Sequence, residues 1–594
     1  MVDFPTAARR ARHLFPASCL AAALLAAIAV PLGAGAQPAA AVSTGTVKYD
    51  LDDVIIHPVH SLHGMVSSES ALASDVGVEV LRKGGNAVDA AVATGFALAV
   101  TMPNSGNIGG GGFMILHDGK TGKDTAIDFR EMAPAGASRN MYLDANGNVI
   151  QDKSLFTQAA IGVPGTVAGL TYALEHYGTM KRADLVAPAV RLANNGFPVG
   201  ETLAGLFVAE HDHLVKWDGT RKVFEHNGKL PVTGELLRNP DLGKSLALIG
   251  RDGAKAFYDG PIGAAIVKEA QAHDGLITAE DLKNYKVVER TPVRGNYRGY
   301  EIVSMPPPSS GGVHVVQILN ILSNFPLKDW GPNSAKTIHA MAEAEKRAYA
   351  DRSEYLGDPD FVKVPVKGLT SPAYAKELAN QIDMEHATPS AQIKPGKPQP
   401  YESDQTTHFV VADSHGSVVS VTYTLNTNFG SGIVASGTGI LLNNEMDDFS
   451  AKPGVPNAYG LVGGDANAVQ PKKRPLSSMS PTIVLKDGKP WLVTGSPGGA
   501  RIITTTLQVL VNTIDFGMNP AEAGSAVRVH HQWLPDELRV ERGLSPDTVA
   551  ILRSMGHKVV ERQSMGDTQT IQILPTGFYG YADQRDPNGA ARGY

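Results

Sequence analysis

The chain has 594 residues, too many for one small domain and enough to bury one large core or two. Hydrophobic residues make up 43% and charged residues 19%, an ordinary balance for a globular protein in water, so a fibrous or low-complexity chain is excluded. The formal net charge of −6 gives no sign of a nucleic-acid partner.

The first 36 residues differ from the rest. Arg9, Arg10 and Arg12 precede an apolar run over 15–32, and Ala34-Gly35-Ala36 forms a small-residue cleavage pattern before Gln37. Residues 1–36 read as a secretory signal peptide, which predicts export to the periplasm or beyond. The one cysteine, Cys19, lies inside this run. The exported part therefore has no thiol and no disulfide, and its stability must rest on packing.

Residues 37–60 are a polar, Ala-rich lead-in expected on the surface. Leu72, Val76, Val80 and Leu81 predict a helix over 70–83, stopped by Gly84-Gly85. Asn86 and Asp89 have the spacing of a capping box and open a helix over 87–100, so apolar that it must be buried. Gly109 to Gly112 form a turn before a short buried strand, 113–116. Ile338, Met341, Ala342 and Tyr349 predict a helix over 334–352. Residues 388–404, rich in Pro and Lys, read as a mobile linker.

Beyond Gln405 the period changes to two. Residues 408–412 and 417–425 predict two strands joined by Asp413-Ser414-His415-Gly416. Ser420, Thr422 and Thr424 share one face; Val419, Val421 and Tyr423 share the other. This hairpin places Thr406 opposite Tyr423, within one residue, and Thr424 beside it. Further strands are expected at 482–486 and 491–494, and an apolar helix at 502–516. Helices mixed with hairpins predict a layered α+β fold.

Chemistry concentrates at Gln405-Thr406-Thr407-His408. A threonine hydroxyl needs a base, and one solution is the threonine's own N-terminal amine. An internal threonine has no free amine. If Thr406 is the nucleophile, the chain must be cut between Gln405 and Thr406. Gly498-Gly499 after Ser496-Pro497 would suit an oxyanion site, where glycine lets backbone N–H groups approach closely. The spaced histidines His57, His60 and His63 and the pair His530-His531 lack the pattern of a metal motif.

Long stretches of the chain resemble the γ-glutamyltranspeptidases, members of the N-terminal-nucleophile hydrolases. The segments are HGMVSS, GGNAVDAAVA, PNSGNIGGGGFM, DFREMAP and PPPSSGG upstream. TTHFVVADSHGSVVSVTYTLNTNFG, GILLNNEMDDFSAKPGVPNAYGLVGGDANAV, KRPLSSMSPTIV and GSPGGARIITT follow in family order. The resemblance implies a four-layer αββα sandwich, self-cleavage before Thr406, and a heterodimer of a large chain 37–405 and a small chain 406–594. It implies Thr406 as nucleophile, Thr424 as its hydrogen-bonding partner and Gly498 and Gly499 as the oxyanion site. Arg130 would clamp the substrate carboxylate, with Ser477 and Ser478 as donors. Asn426, Glu445 and Asp448 would face the ammonium. Residues 453–465 would form a lid with Tyr459 at its tip. The substrates implied are glutathione and related γ-glutamyl amides, with water, amino acids or dipeptides as acceptors and no cofactor or metal. Val410 stands where the family usually has Ser or Thr, and the tail 582–587 matches loosely. Two rivals are a glutaryl or cephalosporin acylase of the same class and an inactive periplasmic scaffold that stays uncut.

Overall fold

Alternation along the strands Thr407–Ala412 and Val418–Thr424 sends Phe409, Val411, Val419, Val421 and Tyr423 to one face, and Val410, Ala412 and Val418 to the other. Both faces are buried, so this sheet needs a cover on each side. The computed structural model describes residues 54–395, 407–452 and 465–594 and supplies both covers. The signal-peptide segment 1–36, Gln405, Thr406 and Tyr459 lie outside the described residues, as do most of the lid loop and linker segments.

The hairpin sits in a seven-stranded sheet. Its order is Ala590–Gly593, Met65–Ser68, Thr407–Ala412, Val418–Thr424, Gly111–Asp118, Lys123–Phe129, Val288–Arg290. A second seven-stranded sheet runs Val59–Ser61, Gly577–Ala582, Gln569–Leu574, Lys489–Gly495, Thr482–Lys486, Tyr300–Ser304, Val293–Tyr297. Met65, Phe113, Met305, Val410, Ile483, Val493 and Ile571 pack between them. Helices Ala87–Thr101 and Thr166–Tyr177 cover the outer face of the first sheet; Gly311–Leu322 and Arg501–Ile514 cover that of the second. This is the expected four-layer αββα sandwich. Val410 belongs to the apolar layer between the sheets, where a hydroxyl would need a partner.

The helix Ala87–Thr101 is buried at every position, and its capping box is formed: Asn86 Oδ1 accepts from Asp89 N–H, and Asp89 Oδ2 from Asn86 N–H, both at 2.9 Å. The preceding helix, Ala71–Arg82, buries Ala73, Gly77, Val80 and Leu81, whereas Leu72, expected on the core face, is exposed. Small residues face inward there because the neighbouring helix approaches closely. The described end of the lead-in, 54–60, is largely exposed as expected and runs into a strand, Val59–Ser61, at the edge of the second sheet. The linker is anchored at its start, because Asp536 accepts from both Ser390 Oγ at 2.7 Å and Ser390 N–H at 2.8 Å.

Candidate active site

The first sheet brings its chemistry to one end. There the strand Met65–Ser68 finishes, Thr407–Ala412 begins, Val418–Thr424 finishes, and Gly111–Asp118 begins. Thr407 pairs with Tyr423, so the register falls within one residue of the expected one. The neighbouring ladder pairs Thr424 with Gly111. A Cβ on Gly110 would lie 1.8 Å from Thr424 O, so only glycine permits this approach. Asn107 then bridges the two segments, donating from Nδ2 to Thr424 O at 2.8 Å and accepting from Gly110 N–H at 2.8 Å.

Thr424 Oγ1 accepts from Asn426 N–H at 2.7 Å. A hydroxyl that accepts there keeps its own hydrogen to donate elsewhere. Asn426 has φ of 81°, in the left-handed region that Asn tolerates better than most residues. Its Nδ2 donates to Asn444 O at 3.0 Å, and its Oδ1 has no donor among the described residues.

Arg130 follows directly on the strand Lys123–Phe129 and is fully buried. Its guanidinium donates to Glu445 and Asp448, to Pro475 O at 3.2 Å and to Leu476 O at 3.0 Å; Glu131 lies 3.7 Å away. Arg130, expected on the carboxylate side, and Glu445 and Asp448, expected on the ammonium side, are thus joined in one cluster, in which each buried charge has a counter-charge. Glu445 and Asp448 lie on a short 3₁₀ turn, Glu445–Asp448. Asp447, between them, accepts from Ser154 Oγ at 2.6 Å.

One guanidinium here faces three buried carboxyls. Burial pushes the Glu131 carboxyl up to about 7 and those of Glu445 and Asp448 well above the usual range, with Arg130 opposing the rise in each. Burial alone would lower Arg130, but its acid neighbours hold it above its ordinary value. Glu131 Oε1 and Oε2, Glu445 Oε2 and Asn426 Oδ1 are buried with no N–H donor among the described residues, although the raised carboxyls of Glu131 and Glu445 lie close enough to share a proton. Such a set is unusual in a folded protein and fits a ligand that brings N–H donors.

Ser477 and Ser478 follow Leu476 in the segment that Arg130 holds. Ser477 Oγ accepts from Met479 N–H at 3.1 Å, and Ser478 Oγ accepts from Arg352. Arg352 is a second buried guanidinium, bonded through Nε to Ser310 Oγ at 2.8 Å. It lies on the helix Ala335–Tyr355, where its sequence position looked like an ordinary polar site. Glu69 was likewise missed; it accepts from Thr407 Oγ1 and His408 N–H, both at 2.9 Å.

Gly498 and Gly499 join the strand Lys489–Gly495 to the helix Arg501–Ile514. Their φ angles are 126° and 66°. Among the described residues neither N–H has an acceptor, while their carbonyls take Arg501 and Ile502 N–H. Two free N–H groups ahead of a helix N-terminus make a ready anion site.

The histidines are placed separately. His60 Nε2 lies 2.9 Å from Thr576 O, His530 Nδ1 2.9 Å from Thr504 Oγ1, and His531 Nε2 3.3 Å from Asp536 Oδ1. His408 Nδ1 lies 2.9 Å from Thr422 Oγ1, and burial pushes its ring down to about 3, a structural role. Elsewhere His339, Glu343 and His557 cluster, but Lys346 and Arg347 already occupy the Glu343 oxygens, which opposes a cation there.

A family model described as Gamma-glutamyltranspeptidase matches residues 73–593. The glutathione hydrolase proenzyme of Escherichia coli is 58% identical over 94% of this chain and 96% of its own length; that of Pseudomonas sp. strain A14 is 48% identical over 90% and 95%. Among solved structures, cephalosporin acylase from Bacillus halodurans superposes with a TM-score of 0.82 at 29% identity, covering 93% of this chain and 99% of that one. A chain of Helicobacter pylori γ-glutamyltranspeptidase is 46% identical with a TM-score of 0.56, covering 58% of this chain and 97% of that one.

Proposed function

Because the chain belongs to the γ-glutamyltranspeptidase family and is a γ-glutamyltransferase and glutathione hydrolase, a proenzyme processed into two subunits, we propose that Thr406 carries both the processing and the catalysis. In the precursor, Thr406 Oγ1 attacks the Gln405 carbonyl, the Gln405–Thr406 C–N bond breaks, and the acyl group moves from nitrogen to oxygen. Water hydrolyses that ester, leaving the Gln405 carboxylate, the Thr406 hydroxyl and a free α-amine. The products are a large subunit, 37–405, and a small one, 406–594. The two sheets support an intertwined heterodimer, because both parts contribute strands to each sheet.

The free α-amine, with an ordinary pKa near ~8, takes the Thr406 hydroxyl proton. The oxygen attacks the γ-carbonyl of glutathione or a related amide, and the Gly498 and Gly499 N–H groups meet the developing oxyanion. Thr424, whose hydroxyl hydrogen remains to be donated, steadies the Thr406 oxygen. The released amine takes a proton from the Thr406 ammonium as the ester forms. Water then gives glutamate, or an amino acid or dipeptide amine gives a new γ-glutamyl bond. No step calls on a cofactor or metal. Residues 1–36 direct export, which places this chemistry in the periplasm or outside the cell.

The observation that carries the donor assignment is the set of buried acceptors around Arg130. The α-carboxylate of a γ-glutamyl group can take over the guanidinium, while its α-ammonium satisfies Glu445, Asp448 and Asn426. Ser477 and Ser478 line the carboxylate side. One zwitterion thus exchanges an internal ion pair for two pairings with the ligand. A glutaryl group brings no ammonium and leaves the acceptors bare. A γ-glutamyl anilide is therefore expected to be hydrolysed at least about 10²-fold faster, as kcat/KM, than a glutaryl anilide, since a site built to bind a polar group rejects the analogue lacking it. Equal rates would favour the acylase reading. The same logic applies at the oxyanion site. Gly498→Ala places a Cβ where φ is 126° and Gly566 Cα is 3.2 Å away. It is expected to lower kcat by about 10²-fold in the same assay, and an unchanged kcat would remove Gly498 from the oxyanion site.

A further inference from the structure

Glu69 has the features of a working residue without an assigned task. It follows the strand Met65–Ser68 at the sheet end that holds Thr424 and Arg130, and it is buried. Among the described residues its hydrogen-bond donors are Thr407 Oγ1 and His408 N–H, each at 2.9 Å and each received by the same oxygen, Oε1. Among the described residues no arginine or lysine pairs with it. Burial therefore pushes its carboxyl up to about 8, with Asp586 and Asp583 adding to the rise and the two hydrogen bonds opposing it.

A buried carboxyl with no cation is costly, so stability alone does not explain this side chain. The cost falls where the chain emerges from the cleavage point. Consecutive Cα atoms stand ~3.8 Å apart, so whatever holds residues 407 and 408 also sets where residue 406 begins. Beside Glu69 is a cavity of about 290 Å³, lined also by Thr101, Met102, Thr202 and Asp586. The hairpin ladder holds Thr407 and His408 to Tyr423 and Thr422 on one side; on the other, the ladder to Met65–Ser68 begins only at Phe409, and Glu69 supplies the holding bonds there.

We propose that Glu69 is a positioning residue: its carboxyl pins Thr407 and His408 and so fixes the reach of Thr406, both in self-cleavage and in catalysis. The inference rests on Thr406 as the nucleophile. Oε1 acts as an acceptor, so a neutral side chain of the same shape should serve as well as the acid. Glu69 does not touch the donor-binding cluster around Arg130, so its loss should appear in kcat and in the rate of maturation, with KM little changed.

The test uses the full-length protein as wild type and as Glu69→Gln, Glu69→Ala and Glu69→Asp. Chain splitting is followed by intact mass and turnover by γ-glutamyl anilide hydrolysis. Glu69→Gln keeps the acceptor and is expected to stay within a few-fold of wild type. Glu69→Ala and Glu69→Asp, the latter one methylene too short, are expected to lose about 10²-fold in kcat and to split more slowly, the penalty for misplacing a reacting group by about 1 Å. Should Glu69→Ala fail to fold, Gln against Asp decides the matter. Full activity in Glu69→Ala or Glu69→Asp overturns the proposal, as does a Gln variant as slow as Asp, which would mean that the charge matters. A wild type whose small chain does not begin at Thr406 would instead overturn the nucleophile assignment, whatever the Glu69 variants do.

Discussion

Replacing Thr406 by alanine is expected to leave the purified protein as a single chain, while the wild type resolves into two, the smaller beginning at Thr406. Intact mass and N-terminal sequencing after incubation read the result directly. The variant loses the attacking oxygen, and by staying uncut it also never acquires the α-amine that serves as base. Both functions of the residue vanish together, so the loss of γ-glutamyl anilide hydrolysis is expected to reach on the order of 10⁴-fold or more, the scale seen when an enzyme nucleophile is removed. Thr406→Ser keeps the hydroxyl and should still split, since the chemistry needs an oxygen at that position and not the methyl. A Thr406→Ala protein that nevertheless divides at 405/406 would point to another nucleophile. A wild type that stays whole would revive the inactive-scaffold reading and direct attention to Val410, which puts an apolar side chain between the sheets close to the strand's start.

What was legible in the chain was local. The capping box of Asn86 and Asp89 depends on a three-residue spacing, and the hairpin from Thr407 to Thr424 depends on strict alternation, so both could be read without the fold. The resemblance supplied the identities of Arg130, Glu445 and Asp448 but not their mutual pairing. Arg130 is 315 residues from Glu445 and 318 from Asp448, a separation no pattern encodes. The helix Ala335–Tyr355 shows the opposite limit. Its Glu343, Lys346, Arg347 and Arg352 look like a solvated face, yet all are buried because partners elsewhere satisfy them: Thr388 for Lys346, Gln381 for Arg347, Ser310 for Arg352. Glu69 has no periodic or motif signal at all; only the ladder that brings the strand Met65–Ser68 beside Thr407–Ala412 reveals what it holds.

Arg130→Met is expected to produce the second large effect, on binding and on stability together. The substitution keeps a long apolar stem and removes the guanidinium bonded to Glu445 and Asp448. The donor's α-carboxylate then has no cation, so kcat/KM for a γ-glutamyl anilide should fall by about 10²-fold or more, the equivalent of roughly 3 kcal/mol. Leaving buried charge uncompensated costs about 3–5 kcal/mol of stability. That cost has a definite pH dependence. Burial already raises the Glu131 carboxyl to about 7 in the presence of Arg130, and Glu445 and Asp448 are raised as well. Without the opposing cation all three rise further. A group whose folded-state pKa is raised stabilises the fold below its unfolded value and loses that contribution as pH climbs through the folded one. At pH 4.5 the three carboxyls can hold their protons, and the variant should unfold close to wild type. Between about pH 5 and 8 the variant must either bury charge or keep protons at growing cost, so the gap in thermal midpoint should widen with pH. A gap that is constant across this range would mean that Arg130 contributes packing alone. A gap that narrows would mean that the acids in this cluster are ionised at low pH, contrary to the effect of their burial.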